Sequence, residues 1–427
     1  MNVGQRQLLE AEYRNLLSCV RCGACLTSCP TYVLTGHEAE GPRGRVAMIR
    51  AALEDGLELT PDLLAHEDTC LVCDACSAVC PAGVHMEPLQ VAFRAAVRND
   101  RPMPPGEGHS RRVPTAALWL FGHMGAFRAL AAALRFYQRS GLQWLARHLG
   151  VLRLLRLSEI EALLPAIAGS FLKPADQVSG KGTPVELFAG CVMSTALADV
   201  DRATIRVLER AGCEVRVTAG QGCCGALNAH AGDLSGAQTL ARANIDAFEG
   251  ETPVIVNSAG CGAMVKEYAH LLPHDPRAAA FAKRVVDVTE FLAGRELPFS
   301  LGSELTVAYQ DACHLANAQG IRAQPRALLR AMPGLQLREL ADNLCCGSAG
   351  VYNVTNPDVA RQLQRRKVEA IVATGASVVA TANPGCLLQL RAGLAEAGAK
   401  VQVKHIIELL DEATSPHSPA GRGQGQG

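Results

Sequence analysis

The chain has 427 residues, 48% of them hydrophobic and 19% charged, with a formal net charge of +0. That length and apolar content allow two or three domains with cores of their own, and the balanced charge gives no reason to expect a nucleic acid as partner. Seventeen cysteines would suggest disulfides in a short secreted chain, but here sixteen of them fall into runs of metal-ligand type, which points to a reducing, cytoplasmic setting.

Residues 1–100 read as one domain. Met1 to Arg14 is polar and mixed in charge, without a basic start followed by an apolar core, so a signal peptide is not expected. Gln5 to Leu17 is predicted as a helical lead-in and Arg45 to Leu53 as a second helix. These flank Cys19-Val-Arg-Cys22-Gly-Ala-Cys25-Leu-Thr-Ser-Cys29-Pro30 and its copy, Cys70-Leu-Val-Cys73-Asp-Ala-Cys76-Ser-Ala-Val-Cys80-Pro81. Both follow the C-x-x-C-x-x-C-x-x-x-C-P spacing with which bacterial-type ferredoxins hold two 4Fe-4S clusters. Three thiolates two residues apart wrap three corners of a cube, and the fourth, followed by a helix-stopping proline, points to a neighbour. The ligand sets therefore interleave: Cys19, Cys22, Cys25 and Cys80 for one cluster, and Cys70, Cys73, Cys76 and Cys29 for the other. Zinc also takes four thiolates, but zinc ribbons use two C-x-x-C pairs across a longer loop. Val20, Leu26, Leu71, Val72 and Val79 lie between the ligands and are expected to keep water from the sulfurs. In Gly41-Pro-Arg-Gly-Arg45 the plain reading is a turn that caps the following helix with solvated arginines; the alternative is a docking or cluster-tuning role for Arg43 and Arg45.

Residues 101–180 read as a linker with amphipathic helices. Arg101 to Gly108 is linker in composition. Val113 to Leu164 carries Leu, Trp, Phe and Ala at helical spacing, with Arg128, Arg135, Arg139, Arg147, Arg153 and Arg156 between them, which predicts two or three helices. Such stripes are ordinarily core packing between domains; the sharper alternative is a basic amphipathic surface resting on a membrane or a partner subunit. The longest uncharged apolar run, Val113 to Phe127, is shorter than the ~20 residues a membrane span needs.

Beyond Lys173 strands and helices alternate. Val185 to Phe188, Cys213 to Thr218 and Pro253 to Val256 read as strands ending near Cys191, Cys223-Cys224-Gly225 and Cys261, with a helix over Thr204 to Ala211. Leu305 to Tyr309, Leu335 to Leu340 and Ser377 to Ala380 lead in the same way to Cys313, Cys345-Cys346-Gly347 and Cys386. The offset is 122 residues from Cys191 to Cys313 and from Cys224 to Cys346, and 125 from Cys261 to Cys386. This is a tandem duplication, with repeats over 181–300 and 301–412 and a disordered tail over 413–427. Parallel strands deliver their carboxyl ends to one edge, so each repeat brings four thiols together, enough for a soft-metal or iron–sulfur site. Cys213 lies outside the register and reads as core. Gly220-Gln-Gly222-Cys-Cys-Gly225, with Asp246 further on, spells a dinucleotide fingerprint. Its counterpart Asp342-Asn-Leu-Cys345-Cys346-Gly347 keeps the thiols and loses the first two glycines, so the thiols are what the duplication preserved.

Paired ferredoxin runs followed by two repeats built around Cys-Cys-Gly resemble the iron–sulfur subunit of bacterial glycolate oxidase (glycolate dehydrogenase). The resemblance runs from Cys19 to Leu410 and includes Gly41-Pro-Arg-Gly-Arg45, Ser258-Ala-Gly-Cys-Gly262, Val265-Lys-Glu-Tyr268 and Leu344-Cys-Cys-Gly-Ser-Ala-Gly350. It implies an electron-transfer subunit that serves FAD-binding subunits oxidising glycolate to glyoxylate, sends electrons toward a quinone or membrane acceptor, and sits peripherally on the inner face of the cell membrane. The residues agree: the sequence offers no flavin or nicotinamide site and no acid–base constellation, and His314 reads as a core histidine or a support for Cys313. Related repeats occur in lactate-utilisation complexes, anaerobic glycerol-3-phosphate dehydrogenase and heterodisulfide reductase. In the last, each repeat supplies a fifth cysteine where this chain has Met264 and Gln389, so a five-cysteine cluster does not carry over. The fold class expected is α+α/β: a helical two-cluster ferredoxin-like domain, a helical linker region and a duplicated α/β cysteine-rich domain. The rivals are a thiol-disulfide catalyst at the repeats and a scaffold whose clusters only stabilise folding.

Overall fold

The computed structural model describes residues 1–98, 113–154, 161, 164–300 and 304–415. The linker expected at Arg101 to Gly108, Arg156, and the tail beyond Ser415 lie outside them; the tail expected from 413 instead begins in order, Ala413 and Thr414 closing the helix Ile406–Thr414, where Thr414 is buried and donates to the Leu410 carbonyl.

The N-terminal segment is helical around its two cysteine loops. The lead-in is two helices, Val3–Glu10 and Tyr13–Leu17, rather than one. Asn2 caps the first, and the break falls at Glu12, whose carboxylate turns inward to accept from Asn15 and to pair with His270. Pro30 does not stop a helix; it opens Pro30–Thr35 at the first turn, where a missing N–H costs nothing. Pro42 opens the next helix, Pro42–Glu54, in the same way. Pro61–Asp68 and Met86–Val97 complete a core of Leu9, Leu16, Ile49, Leu89 and Phe93.

The linker folds into Thr115–Gly122, Met124–Arg139, Leu142–His148 and Val151–Leu154, the first two bent by 101° at His123. Their apolar stripe is only partly covered. In the first three of these helices only Leu118 and Ala131 are buried, while Trp119, Phe136, Trp144 and Leu149 face outward. Arg135 donates to the Gly169 carbonyl and Arg147 pairs with Glu161, which fastens the helices at their polar side. Among the described residues no single helix is long and apolar enough to cross a membrane.

The rest is mixed helix and sheet. The strands are β1 (Gln177–Gly180), β2 (Thr183–Phe188), β3 (Cys213–Val217), β4 (Val254–Val256), β5 (Val285–Asp287), β6 (Leu305–Tyr309), β7 (Leu335–Glu339), β8 (Val378–Thr381) and β9 (Gln402–His405). Their orders are β1-β3-β2-β4-β5 and β7-β6-β8-β9, parallel throughout except that β1 runs antiparallel on the edge of β3. Removing β1 leaves the two sheets with one topology, as a duplication requires. The inner strands β4 and β8 are buried on both faces, which is why they read as continuous apolar runs. The sequence reading missed β1, β5 and β9; each is three or four residues long and lies at a sheet edge, where alternation is too brief to register. One hydrophobic core runs through both repeats, from Val185 and Leu187 to Val307 and Ile406.

Candidate metal centres

The two cysteine loops of residues 1–98 share one backbone conformation. Arg21 and Val72, each just before the second cysteine of its run, have φ of 58° and 52°; Gly23 and Asp74, just after it, have 84° and 59°. A β-branched residue at positive φ is strained, and its presence at Val72 marks a loop whose shape is imposed by what it wraps. One recess of about 430 Å³ is lined by Cys19, Cys22, Cys25, Cys76 and Cys80. A second, of about 330 Å³, is lined by Cys29, Cys70, Cys73 and Cys76. The fourth cysteine of each run thus faces the other run's recess, and Cys76 borders both. Backbone N–H groups of Val72 and Val84 donate to Cys70 and Cys80 at 3.5 and 3.3 Å, as sulfurs carrying charge require. Burial pushes the thiols of Cys70, Cys73 and Cys76 up, so these sulfurs become anions when a cation takes the proton's place. Thiol donors in two closed sets with amide support fit a pair of iron–sulfur clusters.

The shell expected around the sulfurs is uneven. Leu71 and Val72 are buried, but Val20 is 69% exposed and Val79 is also exposed, so the recess of Cys19, Cys22 and Cys25 is the more exposed, while Cys70 and Cys73 are buried and Cys76 partly so.

Arg45 overturns the reading of a solvated arginine. It is 1% exposed, and its guanidinium donates to Glu40 (3.0 Å), Thr69 (2.6 Å), Thr31 (3.2 Å) and the His66 carbonyl (3.2 Å), with Nη1 3.9 Å from Cys29 Sγ. Burial opposes its charge, but Cys70, Cys29, Glu67 and Glu40 outweigh that and hold it protonated. Gly44 is required because a Cβ there would lie 2.0 Å from the Glu38 carbonyl oxygen. Arg43 stays at the surface, on Glu38 and the Arg21 carbonyl.

In the second repeat Cys313 lies just past β6, Cys345 and Cys346 past β7, and Cys386 in the first turn of the helix Pro384–Glu396 after β8. Cys345 Sγ is 3.9 Å from Cys313 Sγ, and Cys346 Sγ 3.4 Å from Cys386 Sγ. Gly347 turns at φ of 86°, with the Ala360 carbonyl where a Cβ would be. The first repeat matches it: Cys191 after β2, Cys223 and Cys224 after β3, and Cys261 in the helix Ala259–Lys266. Cys191, Cys223, Cys224 and Cys261 are all free thiols, each near enough to its neighbours to shift their titration. Hydrogen bonds from neighbouring thiols hold Cys223 and Cys346 well below the usual thiol range, and Cys345 brings Cys313 down to about 5. Each repeat could hold a metal through four sulfurs. Met264 packs in the core beside Cys224 and Phe188, and Gln389 accepts from Asn353 and donates to the Ala360 carbonyl, so neither is free to serve as a fifth donor.

The second repeat abuts the buried cysteine loop. Cys73, Leu71, Cys345 and Tyr352 share one core with Cys313 against it. Asn317 donates to the Cys73 carbonyl at 3.0 Å, and Tyr352 Oη to the Thr69 carbonyl at 2.8 Å. Burial, and then the charge of Cys313, raises Cys73. Arg94 joins the Cys70 carbonyl to that of His230 in the first repeat. The sequence carried no signal for Arg94 or Tyr352, whose partners are distant in the chain. Cys213 is buried in β3, as expected. Gln221 and Gly222, the core of the glycine fingerprint, serve the fold: Gln221 bonds the backbone of Ala189, Leu187 and Thr218, Gly222 donates to Asn244, and Asp246 pairs with Arg277 at the surface. His314 supports Cys313, its Nδ1 3.4 Å from the sulfur.

Two closed thiol sets beside a duplicated four-thiol α/β unit define an iron–sulfur electron-transfer protein. Comparison with known families agrees in every segment. Residues 15–84 match a 4Fe-4S dicluster domain, residues 109–164 the linker region of the glycolate oxidase iron-sulfur subunit, and residues 185–266 and 307–391 a cysteine-rich domain. The chain is 38% identical over 422 residues to a Bacillus subtilis protein named "Probable glycolate oxidase iron-sulfur subunit", covering 93% of this chain and 94% of that one. It is 35% identical over 416 residues to the glycolate oxidase iron-sulfur subunit of Escherichia coli, with the same coverage. It is also 29% identical to a polypeptide of the fumarate reductase (CoM/CoB) of Methanothermobacter marburgensis, over 94% of this chain and 73% of that one. The chain belongs to the family of glycolate oxidase iron-sulfur subunits.

Proposed function

We propose that the chain carries electrons within a complex that oxidises glycolate to glyoxylate. Residues 1–100 act as a helical two-cluster ferredoxin-type domain, 101–180 as a linker, 181–300 and 301–412 as cysteine-rich repeats, and 413–427 as a tail. Cys19, Cys22, Cys25 and Cys80 hold one 4Fe-4S cluster; Cys70, Cys73, Cys76 and Cys29 hold the other. When bound, each cluster takes and passes one electron at a time, which splits the pair a flavin releases. Cys191, Cys223, Cys224 and Cys261, and Cys313, Cys345, Cys346 and Cys386, hold a further metal or iron–sulfur centre in each repeat.

The observation that carries this reading is the contiguity of the thiol sets: the exposed recess at Cys22, the more buried one at Cys73, and Cys313 and Cys345 packed against it. FAD-binding partner subunits deliver electrons at the open recess, where Leu17, Val20 and Val79 are exposed, and a quinone-type acceptor takes them beyond the second repeat. The outward apolar stripe of the linker, with Trp119 and Trp144 and arginines beside them, supports peripheral contact with the inner face of the membrane. In the anaerobically purified full chain, Cys29→Ser should disturb the cluster of Cys70, Cys73 and Cys76 and leave the other's spectrum in place; selective loss of the nearer cluster would overturn the ligand sets.

A further inference from the structure

Three segments distant in sequence meet at a point outside both cysteine loops and beside the second repeat's Cys313. They are the first turn of the helix Met86–Val97, the end of the helix Ala226–His230, and the π-helix His314–Ala318. Glu87 Oε1 lies 3.0 Å from His230 Nε2, and the donor atoms of Glu87, His230 and His314 all fall within 4.8 Å of one another. The two imidazoles lie nearly parallel, with centroids 5.7 Å apart. His314 is 7% exposed; its Nδ1 faces Cys313, and its Nε2 is buried with no hydrogen-bond partner. A buried ring nitrogen without a partner is costly unless something occupies the space before it. Glu87 supplies the carboxylate oxygen that faces this group of donor atoms.

We propose that Glu87, His230 and His314 bind a zinc ion that clamps the cysteine-loop segment to both repeats. Two imidazoles and one carboxylate are a recognised zinc donor set, and a fourth position remains for water. A proton shared between Nδ1 and Cys313 Sγ, 3.4 Å apart, would leave Nε2 its lone pair, the outer-shell support that metal-bound histidines use. Each ligand comes from a different structural unit, so the ion would fix the distance between the Cys73 loop and Cys313. The inference stands on these three side chains and does not depend on the electron-transfer reading.

The test uses the full chain with its clusters, equilibrated with one equivalent of zinc and freed of excess by gel filtration. Zinc and iron are counted, and X-ray absorption is recorded at the zinc edge. One zinc per chain is expected, with nitrogen and oxygen neighbours at about 2.0–2.1 Å. Glu87→Gln and His230→Gln should each lose that zinc while the iron count holds. No retained zinc, or zinc whose neighbours are sulfur at about 2.3 Å, would overturn the site, because the ion would then be absent or held by the cysteines. Retention of nitrogen-bound zinc in both variants would overturn it equally. The spectrum of the unaltered chain decides the matter even where a variant folds poorly.

Discussion

Arg45 is the residue on which the buried cysteine set leans. Its cation sits within reach of Cys29 and among Glu40, Thr31 and Thr69, in a place where water does not screen it. A positive charge beside a cluster favours the reduced, more negative state. Arg45→Met should therefore lower the midpoint potential of the cluster at Cys29 and Cys70 by on the order of tens of millivolts and leave the open cluster nearly unchanged. A redox titration followed by paramagnetic resonance reads both. The same change should cost about 1–3 kcal/mol of stability, since it strips buried hydrogen bonds from Glu40, Thr31, Thr69 and the His66 carbonyl, measurable as a fall in denaturant midpoint. Nothing local in Gly41-Pro-Arg-Gly-Arg45 says that one arginine is buried and the other exposed. That depends on Thr69 and Cys29, which only the folded chain brings near. The cysteine ligands, by contrast, were legible because their geometry lies within eleven consecutive residues.

At the scale of elements, the duplicated loops hold the repeats together. The Ala259 amide donates to the Ala382 carbonyl, the Gly260 amide to Asn383 Oδ1, and His405 Nε2 to the Asn257 carbonyl. Asn257 in turn donates to Asp201, and Arg206 and Arg210 pair with Asp411 across the helices Ala198–Arg210 and Ile406–Thr414. His405 is fully buried, and burial pulls it down from 6.5 to about 4. The unfolded chain therefore takes up a proton below pH 6.5 that the folded chain refuses until about pH 4, and stability is lost as pH falls through that window. The loss attributable to His405 reaches about 3 kcal/mol at the lower end. His405→Gln should flatten the acid limb of stability against pH relative to the unaltered chain; an identical slope in both would dismiss the assignment. The strands leading to the cysteines were readable as apolar runs ending in Cys. The linker helices were readable as helices, but periodicity cannot say which apolar residues meet a core and which face outward, and here Trp119, Phe136 and Trp144 face outward. Trp119→Glu together with Trp144→Glu is expected to leave the folded chain's thermal stability within about 1 kcal/mol and to abolish its sedimentation with anionic vesicles. Unchanged sedimentation would assign that face to something other than lipid.

The whole molecule is arranged as a short conductor. One thiol set is exposed at Cys22, the next is more buried, and a third, in the second repeat, packs against it through Cys73, Leu71, Cys313 and Cys345. The first repeat keeps the same four sulfurs, and Arg94 ties its His230 carbonyl to the Cys70 carbonyl. The duplication could be read from spacing alone, but its asymmetric placement against the cysteine loops could not, because that follows from contacts such as Tyr352 to Thr69 across most of the chain. The most direct test of the conductor is a paramagnetic resonance spectrum of the full chain, purified without oxygen and reduced with dithionite, alongside its iron count. The expected result is at least about eight irons and two reducible clusters whose signals broaden one another through proximity. A colourless, zinc-rich protein, or one whose spectrum does not change on reduction, would contradict it.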